Sequence, residues 1–299
     1  MGASAGVPTL GITMGDPAGI GPEVVRAALA SGRLDPNYHY RIFGDVEGIV
    51  PGRPDAHSAR VALRALEEAV ALARDGTLAA VVTGPVAKAR MHEIGFAFPG
   101  QTEFFAARCH VRDFAMLLTG GALTVALVTV HVPLADVPGL LTRAEIVRVG
   151  KLLAAFVQRR TGRIARVAVA GLNPHAGESG MLGREEIEII APALTTLGET
   201  LEGSATFTGP VSPDTVFYRA VRGEFDAVLC MYHDQGLIPL KLHAFEQGVN
   251  LTLGLPFPRT SPDHGTAFEL AAKGGASAAS MIAAINLAAE LATKQIVWP

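Results

Sequence analysis

The feature that most limits how this chain can fold is a regular alternation of short apolar runs with longer segments of helical periodicity. Such an alternation is typical of α/β proteins, in which helices cover a mainly parallel sheet. We predict strands at residues 8–13, 39–43, 79–82, 124–130, 166–170, 226–231 and 249–253. The clearest predicted helices are at residues 58–74, 142–160, 184–197 and 277–294. The last helix is rich in alanine, and we expect it to pack against the sheet or a partner chain.

The 299 residues contain no linker, internal repeat or low-complexity tract. A chain of this length forms one large α/β domain or two modest ones, and its 49% hydrophobic residues supply a sizeable core. Because no linker is visible, two lobes that share strands fit the sequence better than two domains on a tether. The predicted fold is therefore two-lobed, with mainly parallel sheets and flanking helices.

Charge and composition argue against several classes of function. The net charge is −3 and no cluster of Lys and Arg forms a basic stripe, so nucleic acid is not expected as the main partner. No apolar stretch is long enough to form a transmembrane helix, and the amino terminus lacks the features of a signal peptide. Cys109 and Cys230 have neither metal-binding nor redox spacing. We expect a cytoplasmic protein that binds neither nucleic acid nor membrane.

Three histidines follow predicted strands. His131 comes directly after TVALVTV, His175 comes five residues after RVAVA, and His233 ends the run DAVLCMY. Ligands of open α/β sheets bind beyond the carboxyl ends of the strands, where loops converge over a rigid support. Three imidazoles without a cysteine suit an open divalent-metal centre. The spacing alone is equally consistent with three hydrogen-bonded loop histidines.

The segment GITMGDPAGIGPEVV at residues 11–25 reads as a strand, a Gly-rich turn and the start of a helix. Such a turn is expected to expose backbone N–H groups that could bind an anion. The pattern differs from the G-x-G-x-x-G dinucleotide fingerprint, and a turn of this kind that binds no ligand is common. It is therefore a weak indication of a cofactor site.

The carboxy-terminal third contains several polar groups among apolar residues. Lys241, Asn250, Arg259 and His264 lie in or beside segments that are expected to be buried. A buried cation needs an anionic partner, which could be a structural carboxylate or a bound phosphate. Asp214, in GPVSPDTVF, also suits a turn or a helix cap.

The motifs GDPAGIGPE, TGPVAK, TEFFA, GLNPHAGE, PDT, MYHDQG, VNLTLGLPFPRTS and DHGTAFELA occur here in a characteristic order. In that order they resemble the 4-hydroxythreonine-4-phosphate dehydrogenases, the PdxA family of pyridoxal phosphate biosynthesis. The resemblance runs from about residue 9 to residue 294, and GLNPHAGE together with MYHDQG is highly specific. The HGTA segment also resembles the cofactor loop of isocitrate and isopropylmalate dehydrogenases, whose two-lobed fold the family shares.

The resemblance implies a homodimer whose active site lies between the lobes and is completed by the partner chain. It implies that His131, His175 and His233, drawn from both subunits, bind one divalent ion such as Zn²⁺, Mg²⁺ or Co²⁺. The residues implied to bind the substrate are Gln101, Thr102, Lys241, Asn250 and Arg259, with Gln101 in place of a histidine that the family usually has. The residues implied to contact NAD or NADP are Gly15, Asp16, Gly19, Gly21, His264 and Gly265. The first lobe, on the cofactor side, comprises residues 1–120 and 242–299, and the second, with the metal ligands and dimer contacts, comprises residues 121–241.

The implied reaction oxidises a secondary alcohol of a phosphorylated small molecule by hydride transfer to NAD or NADP, and the resulting β-keto acid loses CO₂. Lys241 and Asp214 are the candidates for the base that accepts the hydroxyl proton. One alternative is a sister dehydrogenase that acts on 4-phosphothreonate or 4-phosphoerythronate. The other is a metal-dependent binding or regulatory protein that has kept the fold and lost turnover.

Overall fold

The computed structural model describes residues 7–294 and residue 298. Within this part of the chain the strands are β1 Thr9–Thr13, β2 His39–Phe43, β3 Ala80–Thr83, β4 Ala115–Gly120, β5 Leu123–Leu127, β6 Ala165–Ala170, β7 Ala205–Val211, β8 Ala227–Cys230, β9 Val249–Leu253 and β10 Arg259–Pro262. The helices are α1 Gly21–Ala30, α2 Ala56–Arg74, α3 Lys88–Glu93, α4 Gln101–Arg108, α5 Val137–Leu140, α6 Arg143–Thr161, α7 Ala191–Thr200, α8 Val216–Val221, α9 His233–Ala244, α10 Phe268–Ala271 and α11 Ala279–Ala292. No helix in the described residues is both long and apolar enough to cross a bilayer.

The described residues form two compact units. Unit 1 contains residues 7–112, 249–251 and 255–294, and unit 2 contains residues 113–248 and 252–254. The sequence places the lobe boundaries at residues 120 and 242, whereas the chain passes from one unit to the other after residues 112 and 248. The assignment of the cofactor to the first lobe and of dimer contacts to the second stays a prediction.

The sheet of unit 1 has the strand order β2-β1-β3-β10-β9. All neighbouring pairs are parallel except β10 with β9. Helix α11 packs against β3 and β10, and the Thr260 hydroxyl donates to the carbonyl oxygen of Ala284 at 2.8 Å. Of the two positions predicted for the Ala-rich helix, the structure shows the one against the sheet.

The sheet of unit 2 has the strand order β4-β5-β8-β6-β7. The strands β5, β8, β6 and β7 are mutually parallel, and β4 is antiparallel to β5. Buried side chains from these strands, such as Leu118 and Val125, pack against Leu237 and Leu240 of α9. The carboxyl ends of the four parallel strands therefore meet at one edge of the sheet.

Three strands are absent from the prediction, namely β4, β7 and β10. Strand β4 forms a hairpin with β5 through the turn at Gly121, which has a φ of 56° and which the prediction ignored. Strand β5 also ends at Leu127 instead of residue 130. The helix predicted at 184–197 begins as a π-helical turn, Glu186–Ile190, before α7.

Candidate active site

His131 and His233 follow neighbouring parallel strands of unit 2, β5 and β8. The two segments stay hydrogen-bonded beyond these strands, with the Thr129 amide donating to the carbonyl oxygen of Met231 at 3.1 Å. His131 comes two residues after Thr129, and His233 comes two residues after Met231. The centroids of the two imidazole rings are 5.4 Å apart. The register of the sheet therefore brings these two predicted ligands together.

The two imidazoles line a pocket of about 240 Å³ in unit 2. Its other lining residues are Val130, Val132, Leu134, Val137, Tyr232 and Asp234. The Asp234 carboxylate lies 2.7 Å from Nδ1 of His233, an arrangement that fixes the ring and leaves Nε2 as the coordinating nitrogen. Two imidazoles, one of them oriented by a carboxylate, are nitrogen donors of the kind that bind a divalent metal ion, but they are fewer than a complete ligand set.

His175 lies apart from this pair in an exposed loop after β6. Its φ is 52°, and the four residues that follow it also have positive φ values, between 43° and 78°. No three His, Cys, Asp or Glu side chains in residues 7–294 are grouped closely enough to hold a metal ion. The predicted set of three histidine ligands is thus not assembled within one chain, and it stays a prediction.

Helix α9 carries His233 as its first residue and Lys241 near its end. The prediction lacked this helix because Gly236 and Pro239 are poor helix formers. A Cβ at Gly236 would lie 3.0 Å from Cδ2 of Leu127, so glycine allows the helix to pack closely on the sheet. Lys241 is half-buried and lies two helical turns, or about 12 Å, along the axis from His233.

Asp214, the second candidate base, is exposed in the turn after β7 and accepts a hydrogen bond from the Ser212 hydroxyl at 2.6 Å. Because β7 runs parallel to β6, this turn lies at the same edge of the sheet as the three histidines. Asp214 thus lies at the histidine edge of unit 2, whereas Lys241 lies farther along α9. The assignment of the base to either residue stays a prediction.

Arg259 is the most deeply buried cation among the predicted site residues, with 3% of its surface exposed. Its guanidinium donates to Oε1 of Gln101 at 2.9 Å and to the Thr83 hydroxyl, and it lies 5.5 Å from the centroid of the Phe105 ring. Burial lowers its pKa to about 10, while the Glu103 carboxylate acts in the opposite direction. The side chain therefore remains charged at neutral pH.

Gln101 and Thr102 open helix α4 beside this guanidinium. While Oε1 of Gln101 accepts from Arg259, its Nε2 donates to the carbonyl oxygen of Gly84 at 3.0 Å. Thr102 is buried. Gln101 is thus a neutral amide that holds Arg259 without adding a charge.

Unit 1 also contains buried polar atoms that make no hydrogen bond within the described part of the chain. They are Oγ1 of Thr13, Oδ1 of Asn250 and Nε2 of His264. Nδ1 of His264 lies 3.1 Å from the carbonyl oxygen of Gly265, which is itself exposed. Because buried polar atoms are normally satisfied, these three atoms are candidates for contact with a ligand. Ligand contact of Asn250 and His264 stays a prediction, and Thr13 is not among the predicted site residues.

The Gly-rich turn differs from the prediction. Gly15, Asp16, Gly19 and Gly21 are all buried. The amide of Asp16 donates to Pro85, that of Gly19 to Asp16 and that of Ile20 to Thr266. Burial raises the pKa of the Asp16 carboxyl, although the Ala18 amide donates to it. The expectation that these N–H groups are exposed for an anion is therefore wrong, and contact of the four residues with a cofactor stays a prediction.

Sequence reasoning missed Thr83 and Glu186. Thr83 ends β3 inside the motif TGPVAK, where its hydroxyl could have been recognised as a partner for a neighbouring cation. Glu186 is buried and accepts hydrogen bonds from the loop that carries His175. Glu186 is one of three Glu in the charged stretch REEIE, and nothing in that stretch indicates which of them is buried.

Comparisons with known proteins identify the family of this chain. The model of the family described as pyridoxal phosphate biosynthetic protein PdxA matches residues 27–288. The chain belongs to the PdxA family. A protein from Erythrobacter litoralis named 4-hydroxythreonine-4-phosphate dehydrogenase is 49% identical over 249 residues, which cover 82% of this chain and 73% of that protein. The crystal structure of a Klebsiella pneumoniae protein of the same name is 37% identical, covers 95% of this chain and 99% of its own, and has a TM-score of 0.82.

Membership of the PdxA family confirms the predicted family and its place in pyridoxal phosphate biosynthesis, and the names of these relatives confirm the predicted oxidoreductase class. A dehydrogenase of this family implies a nicotinamide cofactor and a metal ion. A β-decarboxylating dehydrogenase from Thermococcus kodakarensis, 17% identical over 94% of this chain and 81% of its own, has a TM-score of 0.51. This distant likeness supports the predicted fold class.

Proposed function

We propose that this PdxA protein oxidises 4-hydroxythreonine 4-phosphate with NAD or NADP and that the product is decarboxylated to 3-amino-2-oxopropyl phosphate. The observation that carries the proposal is the buried guanidinium of Arg259 beside Thr83 and Gln101. A permanent cation in a dry site beside further donors suits a substrate that carries about two negative charges. The names of the relatives from Erythrobacter litoralis and Klebsiella pneumoniae support the same substrate.

The phosphate-binding group would consist of Arg259, Thr102 and Asn250 with Gln101, all of which belong to unit 1. A role of Lys241 in substrate binding stays a prediction. Arg259 offers directed N–H donors, and Gln101 fixes its plane through the 2.9 Å hydrogen bond. A guanidinium already held in position loses little side-chain entropy when a ligand binds. This group would thus hold the phosphate in a defined position.

His131, His175 and His233 would hold a divalent ion, for which Zn²⁺, Mg²⁺ and Co²⁺ are the candidates. When bound, such an ion would act as a Lewis acid that polarises the substrate hydroxyl and stabilises negative charge, and NAD or NADP would supply the hydride acceptor. Asp234 would keep the His233 ring in its binding orientation. Lys241 or Asp214 would take the proton from the substrate hydroxyl.

We infer that a second copy of the chain completes the metal site. In one chain His131 and His233 are adjacent while His175 lies apart. The six most exposed large apolar side chains of the described residues all belong to unit 2, namely Leu134, Met181, Tyr218, Ile238, Leu242 and Phe245. Ile238, Leu242 and Phe245 follow one another at the spacing of a single helix face. Exposed apolar side chains in unit 2, together with metal ligands that one chain leaves incomplete, support a homodimer.

The substrate and cofactor are tested by the rate of reduced cofactor formation at 340 nm. The purified protein would be assayed with 4-hydroxythreonine 4-phosphate, 4-phosphothreonate and 4-phosphoerythronate, each with NAD and NADP and with a panel of divalent ions. We expect the highest kcat/KM with 4-hydroxythreonine 4-phosphate. A higher value with either acid would favour the sister dehydrogenase, and no turnover under any condition would favour a binding protein. The cytoplasmic location stays a prediction, which fractionation of expressing cells would test.

A further inference from the structure

The loop that carries His175 has a backbone that needs external support. From His175 to Ser179 every residue has a positive φ, and four of these five residues are not glycine. A left-handed conformation is unfavourable for a non-glycine residue, because its Cβ comes too close to the following carbonyl oxygen. A run of this kind persists only when its surroundings over-determine it. The residues that hold the loop therefore decide where the His175 imidazole lies.

The carboxylate of Glu186 supplies that support. It is 3% exposed and comes from the first residue of the π-helical turn that precedes α7. Its Oε1 accepts hydrogen bonds from the amides of Leu172 and Asn173, both at 2.7 Å. Its Oε2 accepts from Nδ2 of Asn173 at 3.0 Å. Three donors from the beginning of the loop thus converge on one buried side chain.

Asn173 makes this arrangement specific for a carboxylate at position 186. Its Nδ2 also donates to Oε2 of Glu185 at 2.7 Å, so the two amide hydrogens serve two different carboxylates. A glutamine at position 186 would turn its own amide hydrogens towards Nδ2. Flipping the Asn173 amide would relieve that conflict but would place its carbonyl oxygen against Glu185. The network therefore has no neutral equivalent.

Two glycines show how closely the loop is packed around this network. A Cβ at Gly177 would lie 2.6 Å from Oε2 of Glu186, and a Cβ at Gly183 would lie 2.3 Å from Nδ2 of Asn173. Both glycines have positive φ, at 78° and 130°. The backbone on both sides of Met181 thus comes into contact with the Glu186–Asn173 pair.

We propose that Glu186 is a positioning residue for the metal site: through the amides of residues 172 and 173 it fixes the left-handed turn and so presents His175 to the metal ion. The inference rests on the proposed metal-binding role of His175. Removal of a residue that orients a metal ligand through hydrogen bonds commonly weakens metal binding by 10- to 100-fold. Glu186 acts on His175 through the backbone.

The test compares Glu186→Gln with His175→Ala and with Glu188→Gln as the matched control. Glu188 lies on the same π-helical turn, but it is exposed and paired with Arg184. Each full-length protein is titrated with Co²⁺, and its dissociation constant and visible absorption spectrum are recorded at saturation. Hydrogen–deuterium exchange of residues 171–183 is measured without metal, and thermal unfolding is measured in parallel.

We expect Glu186→Gln to weaken Co²⁺ binding by about tenfold or more. Its saturated spectrum should shift towards that of His175→Ala, and the loop should exchange faster, while Glu188→Gln matches the wild type. A purely structural role would lower the melting temperature and leave the affinity and spectrum of the folded protein unchanged, which would overturn the inference. Unchanged Co²⁺ binding in His175→Ala would overturn the proposed metal site and the inference with it. If Glu186→Gln does not fold, Asn173→Ala takes its place with the same expectations.

Discussion

The Arg259 guanidinium of unit 1 is buried, whereas the candidate metal-binding histidines of unit 2 are more exposed to solvent. Arg259 is enclosed by its own chain, and Gln101 and Thr83 hold it in place. His131 and His175 are exposed, and the apolar side chains of unit 2 near them are exposed as well. The comparison teaches that one chain could complete the proposed anion-binding group alone, whereas the proposed metal centre would depend on a second copy.

The largest effect should come from the metal centre. His175→Ala is expected to lower kcat/KM by at least ~100-fold, because it removes one ligand of an ion that stabilises charge in the transition state. Chelation should abolish turnover and a divalent ion should restore it. His57→Ala, at an exposed histidine of unit 1, is the control. Full activity after exhaustive chelation, with metal absence verified by elemental analysis, would contradict the metal role.

A mixing experiment examines the dependence of unit 2 on a partner. His131→Ala and His175→Ala should each be inactive, because every dimer site lacks one ligand. After dissociation and reassociation, half of the dimers contain one chain of each kind, and one of their two sites is intact. Activity should therefore return to about a quarter of the wild-type value. Failure of any activity to return, with mixed dimers demonstrated by mass spectrometry, would show that the ligands come from one chain.

The anion-binding group of unit 1 should show a smaller effect that is confined to substrate binding. Arg259→Ala should raise KM for the phosphorylated substrate by about tenfold or more, equal to the roughly 1.5–3 kcal/mol of a hydrogen bond to a charged group. Arg90→Ala, at an exposed arginine paired with Glu93, is the control. The measurement is KM for phosphorylated and unphosphorylated 4-hydroxythreonine. Equal use of both compounds by the wild type would remove the basis for a phosphate pocket.

The stability of unit 2 should depend on pH through the carboxylate of Asp226. The Asp226 carboxylate, 6% exposed, accepts from Arg163 and Arg166. Burial acts to raise its pKa, but the hydrogen bonds from Arg166 outweigh burial and hold that pKa below its usual 3.8. Its contribution is therefore present above pH 3.8 and is lost as the pH falls through the lower folded-state value. Asp226→Asn should cost about 1–2 kcal/mol at pH 7, and urea unfolding should show this difference shrinking towards pH 3.

The smallest effect concerns Gln101. Gln101→His should keep kcat/KM within about threefold of the wild type at pH 8, since a neutral imidazole can also accept from Arg259. Below an imidazole pKa of about 6.5, the protonated ring can no longer accept and repels the guanidinium. The variant should therefore lose activity between pH 8 and pH 6, relative to the wild type. Parallel pH profiles of the two proteins would contradict a contact between residue 101 and Arg259.

Much of the fold follows from the sequence, because the parallel strands are buried apolar runs and the long helices have clear periodicity. Helix α9 does not follow from the sequence, since only its contact with β5 explains why it contains Gly236. The proximity of His131 and His233 could be predicted from their place after strands, but not from spacing alone, because strand order decides which loops are neighbours. The closed Gly-rich turn could not be predicted, because the acceptors of its N–H groups lie at residues 85 and 266.

In the proposed dimer, the separation of His175 from the His131–His233 pair would couple metal content to assembly. Each site would take two imidazoles from one chain, so the isolated protomer would bind an ion weakly, and the third imidazole would come from the partner. By thermodynamic reciprocity, the ion would then strengthen dimerisation by the same factor by which dimerisation strengthens ion binding. Dilution would release metal and metal depletion would release protomers. The cellular supply of the ion would thus control how much of the protein is assembled.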